Sequence, residues 1–139
     1  MGDLRKNFNS EEFACNCGCG LKFKIDEALL DLLQYVRDEI GKPLNINSGC
    51  RCREYNSKLP GTAENSWHIP RDNLDDIPTL YASDVTYSDA ALRTPENMLR
   101  LYCYFSNGKA KGLGMYTSWV HADTRPTKRV ARWISAMPQ

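Results

Sequence analysis

Gly112-Leu113-Gly114-Met115-Tyr116-Thr117-Ser118-Trp119-Val120-His121-Ala122-Asp123-Thr124 is the stretch on which the fold turns. It reads as two strands around a turn near Thr117-Ser118. Side chains of a strand alternate between its faces, so a strand from Trp119 to Thr124 places His121 and Asp123 together on one side. Val120 and Ala122 then take the other side.

Working outward, Thr94-Pro95-Glu96 has a cap residue followed by proline in the first turn, which predicts a helix running to about Ser106. Asn107-Gly108 ends it. Tyr81 to Tyr87 reads as a strand, and Arg129 to Ile134 as a last one. In the first half, Leu29, Leu32, Leu33, Val36 and Ile40 recur at spacings of three and four. They predict a helix from Asp26 to Ile40, with Asp26 as its cap and Gly41 and Pro43 as its stop. Leu44-Asn45-Ile46-Asn47 alternates as a short strand, and Cys52 to Leu59 reads as a short helix. Asn9-Ser10-Glu11-Glu12-Phe13 is a short helical turn, and Cys15 to Gly20 an irregular loop. Residues 69–80, with Pro70, Pro78 and three acids, show little periodicity and read as an inserted, exposed loop.

Composition narrows the class. The chain has 139 residues, enough for one domain spanning 1–139 that buries a substantial core. Eighteen Lys and Arg against seventeen Asp and Glu give a net charge of +1 without a block of one sign. That balance argues against a nucleic-acid partner. No apolar run is long enough for a membrane span. The first residues, Met1-Gly2-Asp3-Leu4-Arg5-Lys6, lack a signal-peptide pattern, so synthesis in the cytoplasm is expected.

Six cysteines stand as Cys15-Asn16-Cys17-Gly18-Cys19, Cys50-Arg51-Cys52 and a separate Cys103. Free thiols, a late disulfide and a structural metal are all open for the two clusters, whose spacing is not that of common zinc modules. Cys103 sits among apolar residues and is expected in the core.

The chain has two histidines. His68 lies in Asn65-Ser66-Trp67-His68, and Asp84 follows it in Tyr81-Ala82-Ser83-Asp84-Val85. Two imidazoles and one carboxylate are a usual three-residue set for catalytic zinc. Zinc lowers the pKa of water and polarises a carbonyl.

Several motifs, in this order, resemble the zinc D-alanyl-D-alanine carboxypeptidase family and the related phage L-alanyl-D-glutamate endolysins. They are Glu12-Phe13-Ala14-Cys15-Asn16-Cys17-Gly18-Cys19, then Asn47-Ser48-Gly49-Cys50-Arg51-Cys52-Arg53-Glu54-Tyr55-Asn56, then Ser66-Trp67-His68 and Ala82-Ser83-Asp84. Gly112 to Tyr116 and Val120 to Arg125 complete the series, so the likeness spans nearly the whole chain. It implies an α+β fold shared with the hedgehog signalling domain, a small antiparallel sheet flanked by helices. It also implies that His68, Asp84 and His121 hold zinc and that Arg51 binds substrate. Ser66 and Ser48 are further candidates to donate to substrate or to the metal site.

Three departures from the family pattern are visible. His68 and Asp84 stand sixteen positions apart instead of seven, and Leu80 replaces a glycine between them. Asp72, Asp75 and Asp76 therefore compete with Asp84 as a ligand, which is preferred because a strand holds a ligand better than a loop. Cys50 replaces an aromatic residue. Ser118 replaces an acid three residues before the last histidine. Asp123 is the substitute proton acceptor, or else the partner that orients an imidazole. The expected function is a zinc-dependent metallopeptidase cutting peptidoglycan stem peptides. It would be a monomer acting on the cell wall after release from the cytoplasm, or from a virion, as a phage or prophage lysis enzyme. The alternative is a non-hydrolytic zinc-bearing module on the same fold.

Overall fold

A computed structural model describes residues 2–72 and 77–135. Seven strands and three α-helices follow one another as β1 (Lys24–Ile25), α1 (Glu27–Ile40), β2 (Leu44–Ser48), α2 (Arg53–Lys58), β3 (Thr79–Leu80), β4 (Ala82–Tyr87), α3 (Pro95–Asn107), β5 (Gly112–Met115), β6 (Val120–Asp123) and β7 (Ala131–Ile134). Five strands form the main sheet in the order β2-β4-β6-β5-β7, and β1 pairs with β3 separately. The α+β class expected from the sequence is what the structure shows. Its sheet is antiparallel except at the edge, where β7 joins β5 in parallel.

The helices cover one face of this sheet. Leu29, Leu30, Leu32, Leu33 and Val36 form the buried stripe of α1, and Met98, Leu101 and Phe105 that of α3. Both meet Val85, Tyr87, Leu113, Val120 and Ala122 of the sheet in a single apolar core. Burial of each such side chain contributes about 1.5–3 kcal/mol, so the helices are held here by their apolar stripes more than by propensity.

Two local expectations are modified, the first by a tertiary contact and the second by the periodicity of a helix. Asp26 precedes α1 but makes no side-chain cap bond; its carboxylate accepts instead from the Thr124 hydroxyl at 2.6 Å. Cys103 is exposed. The buried positions 98, 101 and 105 of α3 lie on one side of the helix, and a residue two places from Leu101 and Phe105 falls on the other.

The 69–80 segment is not uniformly outside. Ile69, Thr79 and Leu80 are buried, as is Pro70. Arg71 and Thr79 exchange backbone hydrogen bonds at 2.8 Å each, which closes the neck of the excursion. Asp72 and Ile77 are exposed, and Asp75 and Asp76 lie outside the described residues.

Candidate metal centre

The second face of the sheet is polar and nearly as buried as the first. On it, Asp84 of β4 stands directly opposite His121 of β6, and Ala82 opposite Asp123. Gly114 and Gly112 of β5 stand beside His121 and Asp123. An irregularity between Ile46 and Ser48 shifts the register of β2, so that Ile46 pairs with Val85 but Ser48 with Asp84. Without that shift, Ser48 would share the core face with Ile46. A bulge here re-aims one side chain toward the polar face.

His68 reaches the same place from a loop. Its backbone N–H donates to the Ser66 hydroxyl at 3.2 Å, and its carbonyl accepts from the Arg51 N–H at 2.8 Å. The His68 ring stands edge-on to that of His121, with centroids 5.0 Å apart.

Three atoms converge. His68 Nε2 lies 3.1 Å from Asp84 Oδ1 and 3.2 Å from His121 Nδ1, and the third edge, His121 Nδ1 to Asp84 Oδ1, is 3.3 Å. The opposite ring nitrogens settle the tautomers. His68 Nδ1 faces the Gly49 carbonyl at 2.8 Å, which can only accept, so the proton is on Nδ1. His121 Nε2 faces the Asp123 carboxylate at 2.7 Å, so its proton is on Nε2. Two imidazole lone pairs and one carboxylate oxygen thus point at a common centre. Acceptors so close repel one another unless positive charge lies among them. The donor set fits a divalent cation.

The electrostatics favour the ligand form at Asp84 and His68, and the protonated form at His121. Burial would push the Asp84 carboxyl up, but the facing His68 and His121 rings hold it well below the ordinary carboxylate range. Burial drives His68 down, toward the neutral imidazole that ligates metals. Burial also acts downward on His121, yet hydrogen bonds to Asp123 and Asp84 carry its pKa above the usual histidine value.

Asp123 does not face the convergence point. It is fully buried, and its Oδ2 binds the far ring nitrogen of His121. Arg125 fixes the carboxylate further, through Nη2 to Oδ2 at 2.7 Å and Nε to Oδ1 at 2.9 Å. The His121 ring stands between the Asp123 carboxylate and the convergence point. The orienting alternative fits. Neighbouring glycines make this packing possible: a side chain at Gly112 would collide with the Asp123 carboxylate and Arg125, and one at Gly114 with the Trp133 indole.

Arg51 lies across the other oxygen of Asp84. Its Nη2 donates to Asp84 Oδ2 at 3.1 Å, its Nε to the Ser48 hydroxyl at 3.1 Å, and its Nη1 to Asn56 Oδ1 at 3.5 Å. Ser48 therefore aims Arg51, and Ser66 holds the His68 backbone. Around these groups stand half-buried aromatic rings. Trp133 lies 5.1 Å from the His121 ring, and Arg71 stacks 4.2 Å over Trp67.

A family model described as peptidase M15 matches residues 6–123. The chain belongs to the peptidase M15 family. No curated protein and no solved structure gives a significant match. The match includes every residue of the His68-Asp84-His121 group, and M15 peptidases are metal-dependent. It ends at Asp123 and so excludes Arg125. Among the described residues, no helix of this M15 chain is long and apolar enough to cross a membrane.

Reading the sequence alone missed three contributors to the M15 site. Arg125 and Asn56 stood in recognised motifs without a role, and the Gly49 carbonyl has no sequence signal at all. Arg125 could have been suspected from its place two residues after Asp123, where an alternating chain returns to the same side.

Proposed function

We propose that this M15 chain is a zinc-dependent peptidase that hydrolyses peptide bonds in peptidoglycan stem peptides, as a D,D-carboxypeptidase or an L-alanyl-D-glutamate endopeptidase. The observation that carries the reading is the triangle of His68 Nε2, Asp84 Oδ1 and His121 Nδ1, with edges of 3.1–3.3 Å. Ligand atoms at about 2.0–2.1 Å from a tetrahedral zinc lie about 3.3–3.4 Å apart. When bound, zinc supplies a Lewis acid for the scissile carbonyl and lowers the pKa of water.

The chain's own residues do the rest. The Gly49 carbonyl and the Asp123 carboxylate hold the two imidazoles in the tautomers that present lone pairs. Arg51 fixes the outer oxygen of Asp84, and its planar fork of donors suits a peptide carboxylate or a developing oxyanion beside it. Stem peptides carry several carboxylates, and the rim of the site is cationic. Arg71 is pushed below the usual arginine value by burial and then by the nearby charges of Arg53 and Arg125. The protein acts as a monomer on the wall, after release from the cytoplasm or from a virion, in the manner of a phage or prophage lysis enzyme.

The test is incubation of the zinc-loaded protein with purified peptidoglycan, measuring free D-alanine and new amino termini separately. D-alanine alone supports a carboxypeptidase, and new L-alanine carboxyl termini paired with D-glutamate amino termini support the endopeptidase. A second reading, a non-hydrolytic zinc-bearing module, is favoured by Ser118 at the acid position and by Asp123 facing away from the centre. Zinc bound at the triangle with neither product released would establish that reading instead.

A further inference from the structure

Four of the six cysteines meet in space. We propose that Cys15, Cys17, Cys19 and Cys52 form a second metal site, a structural tetrathiolate zinc centre that ties the N-terminal loop to the turn carrying Gly49 and Arg51. This does not rest on the peptidase reading.

The sulfurs of these four residues all lie within 4.8 Å of one another. Cys15 Sγ and Cys17 Sγ are 3.4 Å apart, and Cys17 Sγ and Cys52 Sγ 3.7 Å. Sulfurs at about 2.3 Å from a tetrahedral zinc stand about 3.8 Å apart, whereas a disulfide needs about 2.05 Å. Thiolate-only tetrahedral donor sets select zinc or iron, and a closed set of four protein ligands is the structural kind.

Three ligands come from one short stretch, so the chain has to curl between them. Gly18, between Cys17 and Cys19, has φ +79°, a conformation that L side chains rarely adopt. No atom lies within 4 Å of where its side chain would begin, so the glycine serves the backbone turn and not a close approach. The Gly18 N–H closes the curl on the Cys15 carbonyl at 3.1 Å. Backbone donors are aimed at sulfur as well. The Cys52 N–H points to Cys15 Sγ at 3.4 Å, and the Tyr55 N–H to Cys52 Sγ at 3.3 Å. Such N–H donors stabilise the negative charge of metal-bound thiolates.

Apart from the sulfurs, Asn16 ties the loop to β2, its side-chain amide donating to the Asn47 carbonyl at 3.1 Å. Every residue from 16 to 22 is exposed, so little apolar burial offsets the entropy of ordering it. A metal held by four side chains supplies that stabilisation directly. The two remaining cysteines are elsewhere: Cys50 is buried in the apolar core, and Cys103 is exposed on α3. On binding, each thiol gives its proton to solvent, so four thiols and Zn2+ become a dianionic centre and four released protons.

The location explains why such a staple matters. Cys52 immediately follows Arg51, and the Cys50 N–H donates to the Phe13 carbonyl at 2.8 Å. The centre therefore fixes the turn whose Gly49 carbonyl orients His68 and whose Arg51 holds Asp84.

The test uses the full chain, produced with zinc under reducing conditions, with zinc counted by elemental analysis. The wild type is expected to hold about two zinc per chain. Cys17→Ser/Cys19→Ser and His68→Ala are each expected to hold about one. Loading with cobalt gives an independent readout. The wild type and His68→Ala should both show the intense thiolate-to-cobalt charge-transfer absorption, which decides the matter even if the cysteine variant fails to fold. One zinc in the wild type with none in His68→Ala overturns the proposal, as does absence of the charge-transfer band. Disulfides among the four cysteines in the native protein also overturn it, and iron at the four sulfurs overturns the choice of metal. Two bound zinc ions without peptide cleavage would leave this centre standing and remove only the peptidase reading.

Discussion

The two faces of the β4–β6 pair differ in what they demand of their surroundings. On one, Val85, Val120 and Ala122 meet the helices and are satisfied by any apolar neighbour of suitable volume. On the other, Asp84, His121 and Asp123 are nearly as withdrawn from water, and each needs a particular partner at a particular atom. Burying a charged group is costly unless it is paired. The polar face is accordingly closed by specific donors and acceptors: Arg51, Arg125, the Gly49 carbonyl and His68. The apolar face makes the fold stable. The polar face makes one arrangement of it useful.

Substitutions on each face should separate these roles. The largest expected effect is that of His68→Ala, which removes one corner of the triangle and abolishes metal binding there along with any peptidase activity. Elemental analysis and a peptidoglycan assay would check this, with circular dichroism showing an intact fold. Full metal occupancy at the triangle in this variant would erase the distinction between the faces.

Next is Leu113→Ala on the apolar face, where Leu113 is fully buried. Truncation there should cost about 2–5 kcal/mol of stability, read from chemical denaturation, while the folded fraction keeps its metal. Asp123→Asn acts in the opposite sense. It should lower metal affinity by about 10–100-fold, because the amide no longer supplies the charge that holds the His121 tautomer. Competition with a chelator measures this. If turnover falls while affinity stays unchanged, Asp123 is a proton carrier and the orienting assignment fails.

Gly114→Ala probes the boundary between site and edge strand. The new methyl group would meet the Trp133 ring, so β7 or the indole has to shift, at about 1–3 kcal/mol. Changed tryptophan fluorescence would report it. Ser48→Ala is the mildest, removing one hydroxyl acceptor from Arg51 at about 0.5–1.5 kcal/mol. Its effect should appear in peptide binding more than in metal content or stability.

Much of this molecule could be read in its chain. The stripe of α1 and the Thr94 cap, whose hydroxyl accepts from the Asn97 N–H at 3.2 Å, are local patterns. So is the alternation of β6. Each depends on residues a few positions apart, and backbone geometry turns such spacing into a face or a terminus. His68, Asp84 and His121 were recognisable as a candidate set through the resemblance of the motifs that carry them, since two histidines and a carboxylate do not by themselves make a site.

What the chain alone left open depended on partners distant in sequence. The bulge that turns Ser48 toward Asp84 is a matter of pairing between β2 and β4, not of the alternation in Leu44 to Asn47. Asp26 is a good cap by type, yet Thr124, 98 positions away, takes its carboxylate. Asp123 could have faced the point where His68, Asp84 and His121 converge or stood behind His121, since sharing a strand face does not say which ring nitrogen a carboxylate will reach. The cysteine spacing allowed three outcomes until the fold carried Cys52 to the loop of Cys15, Cys17 and Cys19. Periodicity and capping act within a few residues and are written in the sequence. Which buried polar atom meets which is decided when distant segments close the same space, because only the assembled interior sets the distances on which charge and coordination depend.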